Sequence, residues 1–147
     1  MIFAKRENMS VKVRSELSKK NKYWIERHRY YELKHFCLQY PIWKKAYAAL
    51  DGFSKRPDDT EGFSVTNVCN DPTAKCAIAK AFYSERMDMV ERAAMDTDEE
   101  LSDYILEGVT NGVSYEHLKA RLEIPCGKDT YYDRYRRFFW ILNKERQ

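Results

Sequence analysis

SYEHLKARLEIPCGKDTYYDRYRRFFWIL, residues 114–142, is the stretch on which the fold turns. Ser114 has the side-chain acceptor that a helix start needs, and Leu118 and Leu122 stand one turn apart on the short helix that follows. Ile124 gives the end of that helix an apolar anchor. Pro125 and Gly127 then break it and permit a tight change of direction. From Lys128 a longer helix begins. At about 100° per residue, Tyr131, Tyr135, Phe138 and Leu142 fall in one stripe flanked by Tyr132 and Phe139, which predicts a core face. The opposite face carries Asp129, Thr130, Asp133, Arg136, Arg137 and Trp140, with Lys128 and Arg134 near its edges.

Working back towards the N-terminus, the helical pattern continues. Thr97 and Glu100 have capping-box spacing, so DEELSDYILEGV predicts a helix closed by Gly108 and the Asn111-Gly112 turn. Asp71-Pro72 is a strong helix start. The helix it opens is expected to end near Met95, with Ala77, Ala81, Met87 and Val90 as its core stripe and Ile78, Phe82 and Tyr83 beside it. Residues 52–70, rich in Gly, Ser, Thr, Asn and Asp, read as a surface loop. KYWIERHRYYELKHFCLQY, from Lys22, predicts a long amphipathic helix ending at Tyr40, because Pro41 disfavours helix at the residue before it. IWKKAYAALDG then makes a second helix, stopped by Gly52. Residues 1–20 read as a basic arm with scattered apolar positions.

The composition agrees: 147 residues, 44% hydrophobic and 33% charged, with only 5 Gly and 4 Pro. That is one helix-rich domain rather than a β sandwich or a disordered chain. The expected fold is all-α, a small helical bundle with a C-terminal helix-turn-helix. The expected regions are an arm at 1–20, a helical region at 21–96 with the loop inside it, and the helix-turn-helix region at 97–147.

Charge is unevenly spread. Residues 1–36 carry 10 basic and 4 acidic side chains, residues 61–113 carry 4 and 11, and residues 114–147 carry 8 and 5. Basic ends suit a polyanion, whose neutralised phosphates release counterions; the alternative is that acidic and basic parts face one another across the fold. No apolar run has the length of a signal peptide core or a membrane span, so no membrane association and a cytoplasmic location are expected. Aromatic residues are abundant, and YWIERHRYYELKHF interleaves them with basic ones, as a base-stacking surface would; at helical spacing they read first as core.

Catalytic patterns are missing. His28, His35 and His117 are the three histidines, and none stands in a nucleophile motif; no phosphate loop, dinucleotide fingerprint or H-E-x-x-H occurs. Cys37, Cys69, Cys76 and Cys126 are widely spaced. With His35 they lack metal-site spacing, and they read as reduced, small hydrophobes. The acidic run DTDEELSD reads as a helix start that complements the helix dipole. The sequence therefore predicts a non-enzymatic protein without cofactor or metal.

VSYEHLKARLEIPCGKDTYYDRYRRFFWIL resembles region four of bacterial sigma factors and, more closely, the C-terminal half of small phage late-gene transcription regulators of the ArpU and RinA type. A short helix with Leu118 and Leu122, a turn ending in Ile124, and a T-x-x-x-R-x-R-like helix from Thr130 to Arg137 carry the resemblance, which covers the C-terminal third. Glu123 stands where such turns usually have glycine, and PCGKD lengthens the turn by about two residues. The resemblance implies a sequence-specific regulator of a phage or mobile element that reads a major groove of double-stranded DNA in a bacterial host cell. Lys128, Thr130, Asp133, Arg134 and Arg137 are the reading or clamping candidates, and Lys119 and Arg121 the backbone contacts. The acidic region, with Asp98, Glu99, Glu100 and Asp103, suits contact with RNA polymerase or another host protein. Two alternatives stand beside this: an inhibitor that docks its acidic helical face on a basic host protein, and a DNA-packaging component acting as a ring.

Overall fold

The computed structural model describes residues 19–54 and 72–147. Most of the expected basic arm, most of the 52–70 loop, Cys69 and the capping residue Asp71 lie outside the described residues. The fold is all-helical: α1 is Arg27–Leu38, α2 Tyr40–Ser54, α3 Pro72–Thr97, α4 Ser102–Asn111, α5 Tyr115–Leu122 and α6 Lys128–Glu145. The described residues divide into two compact units, one formed by 19–38 with Met89–Gln147, the other by 39–54 with 72–88. Helix α3 contributes residues to both units.

In the smaller unit, α2 and the first part of α3 run antiparallel. The Cys76 thiol donates to the Leu50 carbonyl at 3.7 Å, and the Lys80 ammonium lies 5.7 Å from the centre of the Tyr47 ring. Pro72 opens α3, as expected for a residue with no N–H to leave unpaired. Gly52 does not stop α2, which continues to Ser54.

The expected α3 stripe needs correction. Ala77 and Ala81 are exposed, as are Ile78 at 71% and Phe82 at 46%. The less exposed side of the helix instead follows Cys76, Lys80, Tyr83, Met87, Val90, Ala94 and Thr97, in alternating steps of four and three, which is the repeat of a narrow helix seam. Of the residues expected in the stripe, Val90 is fully buried and Met87 half-buried.

In the larger unit, α4 packs against α1, α5 and α6, and α1 packs against α6. Its core holds Leu33, Phe36 and Cys37 of α1, Val90, Ala93 and Ala94 of α3, Ile105 and Val109 of α4, Leu118 of α5, Ile124, and Tyr131, Phe138, Phe139 and Leu142 of α6. Removing such side chains from water, at about 1.5–3 kcal/mol for each large one, is the main drive to fold. Edge-to-face rings knit α1 to α6: Tyr30 meets Phe139 at 5.1 Å, and the Tyr30 and Tyr135 hydroxyls are 3.0 Å apart. The aromatic stripe expected on α6 is therefore the core face.

Helix α1 starts at Arg27 and not at Lys22. Before it, Asn21 Oδ1 accepts from the Tyr23 N–H at 2.8 Å, and at its start the Glu26 carboxylate accepts from the otherwise unpaired His28 N–H at 3.0 Å, which sets where the helix begins. Its buried residues are Tyr30, Leu33, Phe36 and Cys37, one helical face.

Helix α4 is also shorter than expected, starting at Ser102. Thr97 ends α3, with its hydroxyl donating to the Ala93 carbonyl at 2.7 Å, so it caps nothing. Asp98 caps the turn that precedes α4, its Oδ1 accepting from the N–H groups of Glu100 at 3.0 Å and Leu101 at 3.2 Å. Gly108 lies inside α4 rather than closing it. Gly112, at φ +67°, ends the helix in the left-handed conformation.

Candidate nucleic-acid interface

Helices α5 and α6 and the five residues between them form an exposed corner on α4. Ser114 caps α5 as expected, its hydroxyl accepting from the His117 N–H at 3.2 Å. At the other end Glu123 sits at φ 52°, the left-handed position, and the N–H groups of Glu123 and Ile124 turn back to the Leu118 carbonyl. Leu118 and Ile124 are buried there. The glycine expected in such a turn is replaced by a glutamate that adopts the glycine-like conformation. Tyr115 ties the corner together. Its hydroxyl donates to the Cys126 carbonyl at 2.7 Å, and its N–H points at the Tyr132 hydroxyl at 3.4 Å.

Helix α6 starts after Gly127, which offers no side-chain cap, and Lys128, Asp129 and Thr130 are all exposed. The first N–H groups of a helix are unpaired within it and favour anions. The Lys128 ammonium is 2.9 Å from the Glu116 carboxylate, with 54% and 61% of the two side chains exposed. Such a pair is held by no more than about 1 kcal/mol and exchanges readily for another anion. Lys119 and Arg121 are exposed on α5, two residues apart and so on different sides of it. Burial, and then the Asp98 carboxylate, push the Cys126 thiol up, against the opposing charges of Lys119 and Arg134.

The remaining candidates are engaged within the protein. The Arg134 Nε donates to Asp98 Oδ2 at 3.0 Å and its terminal nitrogen to Asp133 Oδ2 at 2.6 Å. The structure thus brings Asp133 and Arg134, sequence candidates for DNA reading, together with Asp98, a candidate for binding a protein. Arg137 is half-buried and donates to the Tyr23 hydroxyl at 3.4 Å, which holds that phenol below its ordinary ionisation range. Of the acidic candidates, Glu99, Glu100 and Asp103 are exposed, and Asp98 is half-buried.

Sequence reading did not anticipate Lys22, Tyr23, Trp140 and Lys144 as one cluster. Tyr23 meets Trp140 edge-on at 5.7 Å, Lys144 lies 3.4 Å over the Trp140 ring, and Lys22 lies 5.0 Å from the Tyr23 ring. The signal available was Trp140 itself, a large apolar ring on an otherwise polar face, which calls for a cover. Among the described residues no group of three His, Cys, Asp or Glu side chains is placed to hold a metal, and no helix is long and apolar enough to cross a membrane. Comparison of the chain with protein-family models, with curated proteins and with solved structures finds no match.

Proposed function

We propose that this chain is a sequence-specific DNA-binding transcription regulator of a phage or mobile element, with α5 and α6 acting as a helix-turn-helix. The observation that carries the reading is the first turn of α6: Lys128, Asp129 and Thr130 stand exposed and uncapped on a helix whose other face is the core of its unit. A recognition helix needs that combination, since its N-terminal residues meet base edges while its back is held rigidly. Packing of α4 on both α5 and α6, and the left-handed turn at Glu123, support it further.

In this reading Thr130 meets a base edge or methyl group, Lys128 exchanges Glu116 for a guanine or phosphate, and Lys119 and Arg121 contact backbone. Arg134 is a positioning residue that holds α6 to the turn before α4, and Asp133 helps to fix its guanidinium. The test is binding of purified protein to mixed-sequence duplex DNA at two salt concentrations. Affinity that falls steeply as salt rises supports the reading, and no binding at low salt sinks it.

A second reading, a module that docks on a basic host protein such as an RNA polymerase subunit, draws on Glu99, Glu100 and Asp103. All three are exposed, Glu99 and Glu100 in the turn before α4 and Asp103 in its first turn, and make no ion pair among the described residues. Charge reversal at these positions abolishes binding in that reading and leaves direct DNA binding in place.

A further inference from the structure

We infer that the cluster of Lys22, Arg137 and Lys144 around Tyr23 and Trp140 is a phosphate clamp for duplex DNA, separate from the reading turn of α6. It rests on the proposed DNA-binding function. Thr130, Arg137 and Lys144 recur every seven residues, an interval that drifts only about 20° around a helix, so they form one row along the outward face of α6. At 1.5 Å per residue, Arg137 lies about 10 Å and Lys144 about 21 Å beyond Thr130. A major groove is about 12 Å wide, so a helix that enters it by its first turn passes over the flanking sugar-phosphate strand at about the distance of Arg137.

The cluster is built to present charge there. Tyr23 is buried, and it receives the Arg137 guanidinium at 3.4 Å on its hydroxyl while its ring meets Trp140 at 5.7 Å. Lys22 and Lys144 rest on these two rings at 5.0 and 3.4 Å, which holds their ammonium groups in place without neutralising them. Lys22 and Lys144 are exposed, and neither they nor Arg137 make an ion pair among the described residues. The nearby acids are committed elsewhere, Asp133 to Arg134 and Glu145 to Arg92. Because Lys144 covers the Trp140 ring, a stacked base is the poorer fit. Phosphate is the ligand that suits three fixed cations.

The experiment uses the full chain with the double substitution Lys22→Gln and Lys144→Gln, which removes charge at two exposed positions and keeps most of each stem. Circular dichroism and the unfolding midpoint are expected to stay unchanged. Affinity for every duplex should fall by the same factor, with the selected motif retained. Each lost phosphate contact flattens the salt dependence by about 0.9 in log–log slope, so between 50 and 200 mM salt the original chain should lose about tenfold more affinity than the variant. An unchanged affinity and slope overturns the clamp while leaving the DNA-binding function standing, as does a loss confined to single-stranded DNA. Failure of the original chain to bind any duplex overturns the function, and the clamp with it.

Discussion

Asp98, from the acidic middle of the chain, and Arg134, from its basic C-terminal stretch, hold one another. Asp98 uses one carboxylate oxygen to cap the turn between α3 and α4 and the other to receive the Arg134 Nε at 3.0 Å. One side chain thereby fixes the start of α4 and its attachment to α6. Part of the polarised charge is internal complementarity, and what is left unpaired is correspondingly more informative.

The two roles of Asp98 separate by substitution. Asp98→Asn keeps an oxygen for the two N–H groups and loses the charge; Asp98→Ala loses both. The alanine variant should be less stable than the asparagine variant by about 1 kcal/mol, the usual worth of a cap. A double-mutant cycle with Arg134→Gln should return a coupling of about 0.5–1 kcal/mol, reduced by the partial exposure of both groups. Urea denaturation measures both, and a coupling of zero would remove the ion pair from the account.

Gly108 and Tyr131 fit as notch and peg. A Cβ at 108 would lie 2.1 Å from the Tyr131 hydroxyl oxygen, and the next ring atom is at an ordinary 3.4 Å. Gly108→Ala should therefore destabilise by about 1–3 kcal/mol, although alanine is the better helix former. Adding Tyr131→Phe should recover most of that loss. A double variant no more stable than Gly108→Ala alone would contradict the fit.

Glu123 occupies a conformation that costs an L-residue about 1–2 kcal/mol and glycine almost nothing. Glu123→Gly should raise the thermal midpoint, with a gain of about 0.5–1 kcal/mol after glycine's greater freedom in the unfolded chain is counted. Glu123→Val should lower it. Calorimetry on the two variants decides the matter, and an unchanged midpoint in both would remove strain at this turn.

Alkaline pH should unfold the protein early. Burial, and then the neighbouring Tyr30 hydroxyl, hold the Tyr135 phenol well above its usual ionisation range, and burial raises the Cys37 thiol as well. Both groups are protonated when folded. Their contribution is complete below the unfolded values, about pH 8.5 for the thiol and 10 for the phenol, and is lost as pH rises through the raised folded values. Stability measured by denaturant titration should fall from about pH 9 upward, and Tyr135→Phe should fall less steeply though it starts lower at neutral pH. Equal slopes would contradict the assignment.

The C-terminal corner was legible because its signals are local. Ser114, the breakers Pro125 and Gly127, and the aromatic spacing of α6 each act within a few residues. The seam of α3 was not legible: Ala77 and Ala81 look as apolar as the neighbouring register, and only packing chooses Cys76, Lys80 and Tyr83. Periodicity placed the start of α1 at Lys22, whereas Asn21 takes the Tyr23 N–H and Glu26 caps the helix at its actual start. Nor does sequence show that Arg134 is tied to a carboxylate 36 residues away, or that Tyr23 lies against Arg137, 114 residues on. Lys119, Arg121, Lys128 and Thr130 are exposed.

The most direct measurement is selection of bound duplexes from a random pool by the original chain and by Thr130→Ala with Lys128→Gln. Our account predicts that the original chain enriches one motif and that the variant, folded and still salt-sensitive, enriches none or a relaxed one. The same motif recovered with equal strength from both proteins would contradict the assignment of the first turn of α6 as the reading surface.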